Sequence, residues 1–358
     1  MIKLSKRRKT RTVFYRGVPV GGGTPITIQS MTTAPTADVR RVMREIRALA
    51  RAGCELVRVA VKDRADVEAL PAICGRSPIP VIADVHFDFR LAVAAAKAGA
   101  AGLRINPGNI GGAEKVRRVI DAAAGAGIPV RVGVNSGSLE RDLRALARTD
   151  PARAMRESAR RSLRLIDGLG FRDLVFSLKS PDALVTVEAN RLFAGDTDCP
   201  LHIGVTEAGP PLSGAAKSAV ALTLLLSAGI GDTVRVSLSG DPVREVTVAA
   251  AVLSSLGLRE DIPRIVSCPT CGRSWIDVSR IAERLEREIL GWRVGATIAV
   301  MGCEVNGPGE AKDADIGLAG TRRGAVLFRK GKVVKRLAGN IEGEFFAAVR
   351  ELLRNRGD

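Results

Sequence analysis

Short, largely unbroken apolar runs alternate along the first two-thirds of the chain with longer segments whose apolar positions recur at helical spacing. The runs fall at 25–29, 55–61, 80–84, 102–105, 129–133, 173–178, 200–205 and 233–238. The helical segments fall at 36–52, 64–73, 89–98, 113–124, 151–169, 181–192, 214–228 and 243–256. An apolar run without polar alternation suits a strand buried on both faces, and a polar or glycine-containing turn follows each run. Eight such pairs over about 250 residues predict an α/β fold of the (β/α)8 barrel type.

The pattern changes after Leu258. Residues 259–263 are mostly charged and end in proline, a linker composition. Strand patterns follow at 264–267, 297–301, 315–318, 325–329 and 332–337, with helices at 275–290 and 342–354. The expected organisation is a barrel over 1–258 and a small α+β domain over 259–358.

Composition narrows the chemistry. Apolar residues make up 46% of the 358, enough for a sizeable core, whereas aromatics make up 3%, too few for base-stacking platforms. The net charge of +17 suits nucleic acid, anionic lipid, phosphorylated metabolites or acidic proteins. Part of it is local: Lys3, Lys6, Arg7, Arg8, Lys9, Arg11 and Arg16 occur in 1–16 without an acid. Most of the rest is arginine on helix patterns such as 153–164, read as solvated faces. The basic start lacks the apolar core of a secretory signal, and the longest apolar stretch, 218–231, is shorter than the ~20 residues of a membrane span. A cytoplasmic location is expected, and with it reduced thiols. Cys54, Cys74 and Cys199 then read as small buried apolar residues.

The other three cysteines have a pattern. Ser267-Cys268-Pro269-Thr270-Cys271-Gly272 places two thiols at i and i+3, and Met301-Gly302-Cys303 supplies a third just after a strand pattern. There is no second CxxC for a four-cysteine zinc ribbon, and no radical-type CxxxCxxC. Three cysteines suit an iron–sulfur cluster whose last iron takes another ligand, and Glu310, after a Gly-Pro-Gly turn, is a candidate. Structural zinc with one non-cysteine ligand and a redox dithiol are the alternatives.

Barrel active sites lie at the C-terminal ends of the strands. Five of the eight ends carry a cation: Arg58, Arg104, Arg131, Lys179 and Arg235. Gathered in one pocket they repel one another unless an anion is present, and guanidinium forks suit phosphate oxygens. The loop 106–111 offers further backbone N–H donors. A small, multiply phosphorylated substrate is expected. Candidates for proton transfer are Glu207 after the seventh strand and Asp84 and His86 after the third. His202 lies within a strand and reads as structural.

Together Leu103-Arg104-Ile105-Asn106-Pro107-Gly108-Asn109, Val132-Gly133-Val134-Asn135-Ser136-Gly137-Ser138-Leu139, the Cys268–Cys271 segment and Asn306-Gly307-Pro308-Gly309-Glu310 resemble the 4-hydroxy-3-methylbut-2-enyl diphosphate synthases. The resemblance extends over nearly the whole chain, from Arg8-Lys9-Thr10-Arg11 and Gln29-Ser30-Met31-Thr32 onward, in the two-domain bacterial form. It implies a barrel plus a domain holding a [4Fe-4S] cluster on Cys268, Cys271, Cys303 and Glu310. It also implies reductive opening of 2-C-methyl-D-erythritol 2,4-cyclodiphosphate with loss of water, on the route to isoprenoids. Arg58, Arg104, Arg131, Lys179 and Arg235 would clamp the diphosphate, Glu207 would handle the proton, and Asn306, Asn135 and His86 would position substrate. The implied partners are flavodoxin or ferredoxin as electron donor and a second copy whose cluster domain caps this barrel, with no nucleic acid or membrane. Two places depart from the family pattern: Glu304 replaces a usually apolar residue, and 180–182 is only loosely similar. An RNA-binding protein and a barrel transferase with a zinc module are the competing classes; the scarcity of aromatics and the strand-end cations favour the reductase.

Overall fold

The computed structural model describes residues 4–305 and 309–357. Asn306, one of the expected substrate contacts, lies outside the described residues. The chain forms two compact units, Met1–Val252 and Leu253–Asp358.

The first unit opens with an antiparallel hairpin, β1 (Thr12–Tyr15) and β2 (Val18–Gly21), which the sequence pattern does not announce. The barrel strands follow: β3 (Thr27–Met31), β4 (Leu56–Ala60), β5 (Val81–Asp84), β6 (Gly102–Ile105), β7 (Val130–Asn135), β8 (Leu174–Lys179), β9 (His202–Ile203) and β10 (Thr233–Val234). They form one parallel sheet ordered β8-β7-β6-β5-β4-β3-β10-β9. A bridge between Phe176 and Leu201 joins the two ends and closes the barrel. The expected runs 200–205 and 233–238 shrink to two residues each. Gly204, at φ +147°, ends the regular pairing where its missing Cβ lets the Arg235 carbonyl pass.

Helices alternate with these strands and bury apolar stripes on them. Asp38, Asp63, Asp88, Asp150 and Asp182 cap five of them by accepting a first-turn backbone N–H. The loop expected at 106–111 contains a short helix, Pro107–Ile110, capped by Asn106.

The hairpin plugs the N-terminal mouth of the barrel. Val13, Tyr15 and Val20 pack on the inward-facing Leu56, Ile82 and Val175. Gly102 makes room for the Tyr15 ring, since a Cβ there would stand 2.5 Å from it. The basic N terminus is a strap across the same end. Ser5, Arg8 and Arg11 donate backbone N–H groups to Ser227, Gly229 and Asp198, each at 2.9 Å. Arg7 pairs with Asp232 at 3.1 Å, Arg8 donates to the carbonyls of Ala194, Thr197 and Cys199, and Arg11 pairs with Asp198. The local charge that composition leaves open to nucleic acid is therefore held largely by the fold itself.

The second unit is a five-stranded sheet ordered β11 (Arg264–Ser267), β12 (Thr297–Met301), β13 (Ile316–Thr321), β14 (Gly324–Arg329) and β15 (Lys332–Leu337). β11–β13 are parallel and β13–β15 antiparallel. Helices Val278–Ile289 and Ile341–Gly357 bury Ile281, Leu285, Phe345 and Phe346 in a core with Ile298, Val300 and Leu318 of the sheet.

Candidate functional site

Neighbours in register on parallel strands share a face, and every second residue of a strand returns to it. The registers Met31–Arg58–Ile82–Gly102, Ala60–Asp84–Arg104–Arg131–Val175, Asn135–Lys179 and Thr27–Thr233–His202 therefore trace the inner wall. The wall has an apolar floor on the hairpin plug and a charged storey above it. In that storey the fold gathers all five expected cations.

Arg131, Arg104 and Lys179 are 1%, 4% and 7% exposed, and Arg58 and Arg235 are half-buried. Two carboxylates contact this set. Asp84 faces Arg58 (Nε to Oδ2, 3.2 Å) and Arg104 (Nη1 to Oδ1, 3.2 Å) and lies 3.4 Å from His86 Nε2. Glu245, from helix Pro242–Ser255, faces Arg235 Nε at 3.3 Å and accepts hydrogen bonds from Ser30 Oγ (2.8 Å) and Leu238 N (3.0 Å). Arg131 donates to the Gln29 amide oxygen. Gly133 leaves space for the Arg104 guanidinium, which a Cβ would meet at 2.5 Å.

Five cations against two carboxylates leave a local excess of positive charge in a desolvated place. Burial lowers Lys179 well below the usual ammonium range, and Arg131, Arg235, Arg58 and Arg104 add repulsion. Burial likewise lowers Arg58, with Asp84 opposing. It brings Arg131 to about 10. Burial pushes the Asp84 carboxyl up, but Arg58, His86 and Arg104 outweigh it and hold it below its ordinary value. A multiply charged anion with oxygens at several positions relieves this repulsion.

The other expected residues are spread around the rim. His86 is partly exposed and touches Asp84 and Arg104. Asn135 ends β7 beside Lys179 in register and is half-buried. Glu207 is exposed in the loop after β9 at φ +51°, an uncommon conformation for a residue with a side chain. Among the described residues it has no ion pair.

Three features escape a strand-end reading. Glu245 holds Arg235 from a helix; its sequence signal is one acid on an otherwise apolar helix face. Tyr15 belongs to the plug. His202 is fully buried with both ring nitrogens unpartnered, beside Thr27 and Thr233, whose hydroxyls are also unpartnered. Burial, reinforced by Lys179 and Arg131, keeps the His202 imidazole well below its usual pKa.

In the second unit, Cys268 follows β11 and Cys303 closely follows β12, so adjacent parallel strands bring both to one sheet end. The Gly302 amide donates to Cys268 Sγ at 3.1 Å. Cys271 is exposed, and hydrogen bonding from Arg273 lowers its pKa. Cys303 is buried, whereas Glu310 and Glu304 are exposed. Among the described residues no three His, Cys, Asp or Glu side chains are gathered as a ready metal site. The donor set nonetheless suits a thiolate-held iron centre in kind, with soft sulfur ligands and backbone N–H donation at sulfur.

A closed barrel with an excess of buried cations, followed by a cysteine-bearing α+β unit, defines a barrel enzyme for a small polyanion. The family profile of the GcpE TIM-barrel domain matches residues 10–250, and that of the GcpE protein C-terminal domain matches 264–351. The chain belongs to the GcpE family. It is 47% identical over 350 residues to a protein of Desulfotalea psychrophila named 4-hydroxy-3-methylbut-2-en-1-yl diphosphate synthase (flavodoxin), covering 97% of this chain and 96% of that one. It is 51% identical over 333 residues to a protein of the same name from Salinispora arenicola, covering 93% and 85%. Among solved structures, 3-dehydroquinate dehydratase of Geobacillus kaustophilus matches 70% of this chain and 98% of its own with a TM-score of 0.50 at 16% identity, a likeness of fold. No helix among the described residues is long and apolar enough to cross a membrane.

Proposed function

We propose that the protein is an iron–sulfur oxidoreductase of the cytoplasm. It converts 2-C-methyl-D-erythritol 2,4-cyclodiphosphate to 4-hydroxy-3-methylbut-2-enyl diphosphate, a step toward isoprenoid precursors. The observation that carries this is the excess of buried cations on the inner wall; a match over 97% of the chain to a relative of that name agrees with it. In the reaction the ring C–O bond to phosphate breaks, a hydroxyl leaves as water, and two electrons and a proton enter.

The chain's own residues do the following. Arg58, Arg104, Arg131, Lys179 and Arg235 bind the two phosphoryl groups, exchanging mutual repulsion for charge-assisted hydrogen bonds and fixing the carbon skeleton. Asp84 and Glu245 hold three of those guanidinium groups in place. Asn135, His86 and Asn306 position the sugar-derived carbons. Glu207 holds the proton for the departing hydroxyl. Cys268, Cys271 and Cys303, with Glu310, would hold a [4Fe-4S] cluster. When bound, the cluster supplies electrons one at a time, drawn from flavodoxin or ferredoxin. Each copy works in a homodimer in which the cluster domain caps the partner's barrel.

The test is anaerobic purification, analysis of iron, zinc and acid-labile sulfide, and turnover of the cyclodiphosphate with a reduced donor. Iron and sulfide in equal amounts, with product formed, are expected. Zinc without sulfide after attempted reconstitution would overturn the assignment. Cys271→Ser should lose the cluster and turnover while the barrel still binds pyrophosphate.

A further inference from the structure

The segment 316–341 carries seven Lys and Arg and not one Asp or Glu. In the second unit Arg280 and Arg284 pair with Glu342, Arg350 with Glu288, Arg356 and Lys330 with Asp315, and Lys335 with Glu344. Arg273, Arg322, Arg323 and Arg336 are exposed and have no carboxylate partner among the described residues.

Register places these four together. The pair Thr321–Gly324 sets the Arg322-Arg323 turn at the end of the sheet where β11, β12 and β13 finish, and Ala325–Leu337 brings Arg336 to that end. It is the end that carries Cys268 and Cys303. Gly320, two residues before Arg322, packs so closely on Gly302 that a Cβ would collide with the Gly302 carbonyl. Trp275, 56% exposed, donates its backbone N–H to the same carbonyl at 2.8 Å. The end of the sheet that bears the cysteines thus carries four exposed arginines without a carboxylate partner among the described residues and an exposed indole, with the exposed Glu304 and Glu310 following Cys303.

We propose that this end of the sheet, with Arg273, Arg322, Arg323 and Arg336 around Trp275, is the docking surface for a small acidic protein carrying a one-electron reductant. The proposal rests on the reductase reading, and on the carrier reaching this end of the sheet while that end is not capping the partner's barrel. One electron passes at each encounter, the carrier being oxidised by one electron, and two encounters supply the two electrons of a turnover. Unpaired charge around a small apolar centre suits a weak, quickly dissolved contact, because complementary charge raises the encounter rate more than it raises affinity. A nucleic acid would need more stacking faces than one indole offers.

The test compares R322E/R323E with the unaltered full-length, cluster-loaded protein, using two donors: reduced flavodoxin and dithionite with methyl viologen. The expected result at low salt is a KM for flavodoxin raised about 10-fold or more and a flattened salt dependence. The rate with the small reductant and the visible absorption spectrum stay unchanged. K332E, at the opposite end of the sheet, leaves the flavodoxin KM as it was. An unchanged flavodoxin KM in R322E/R323E, or an equal rise in K332E, overturns the docking surface. Salt-steep binding of single-stranded RNA that R322E/R323E abolishes, with flavodoxin kinetics unmoved, would give the surface to nucleic acid instead. Failure of the unaltered protein to turn over with either donor overturns the reductase reading, and this proposal with it.

Discussion

Lys179 is the cation whose removal should separate stability from binding most cleanly. The residue is 7% exposed, and its ammonium is repelled by four arginines and faces the gap left by Gly204, where a Cβ would stand 3.3 Å from Nζ. Lys179→Met keeps an unbranched chain of similar length and removes the buried charge. Replacing buried charge by well-packed apolar atoms is worth from nothing to about 4 kcal/mol, and about 2 kcal/mol corresponds to roughly 4–8 °C in a unit of this size. The free variant should therefore melt higher than the unaltered protein. Pyrophosphate binding should move the other way. Loss of one charge-assisted hydrogen bond costs about 1.5–3 kcal/mol, so its Kd should rise roughly 10- to 100-fold. The pH dependence has a definite sign. Because the folded state lowers this ammonium's pKa, the unfolded chain binds more protons. Stability should then rise with pH until the unfolded ammonium also deprotonates, near 10.4. That rise should be missing in Lys179→Met. Scanning calorimetry with and without pyrophosphate, repeated across pH, reads all three effects. A lower melting temperature in the absence of ligand, or an unchanged pyrophosphate Kd, would refute the reasoning.

Three further outcomes are expected. Glu207→Gln should leave the cyclodiphosphate KM within about threefold while kcat falls about 10²- to 10⁴-fold; a change confined to KM would remove its proton role. Asp84→Asn should cost about 3–5 kcal/mol near neutral pH, because it strands buried Arg104 and half-buried Arg58. Since the native pKa of Asp84 is depressed, its contribution is present above the unfolded carboxylate value of about 3.9 and fades as pH falls below it. Urea titrations at neutral and acid pH should therefore show the two proteins converging at low pH, and parallel curves would count against the pairing. Gly102→Val should push into the Tyr15 ring and destabilise the first unit by about 1–3 kcal/mol, read as a lower urea midpoint with pyrophosphate affinity unchanged once folded.

The barrel is legible in the sequence because its strands are buried on both faces and show as unbroken apolar runs. The cationic storey is legible for a different reason: strand ends are the places where a barrel exposes chemistry, and five of them carry Arg or Lys. The hairpin is not legible. Val13, Tyr15 and Val20 alternate over four-residue strands inside a basic segment, and only the floor formed by Leu56, Ile82 and Val175 gives that alternation a meaning. Glu245 is missed because it reaches its arginine from a helix, at a distance no strand-end rule covers. The thiols are legible from spacing. The group of arginines near them is not, because Arg322 and Arg336 meet only through the antiparallel registers of β13–β15.

The strap has a consequence for how the chain acquires its fold. Arg7 meets Asp232 across 225 positions, and β9 and β10, the strands beside the closing bridge, contribute two residues each. Residues made early are thus tied to residues made late in the unit, at the seam where the strands are shortest. Loop closure of that span must precede the reward of contact, which slows folding and leaves β3 as an open edge until Val234 has left the ribosome. The arginines of the strap act on the end of synthesis: they fasten a cylinder whose last staves have only just arrived.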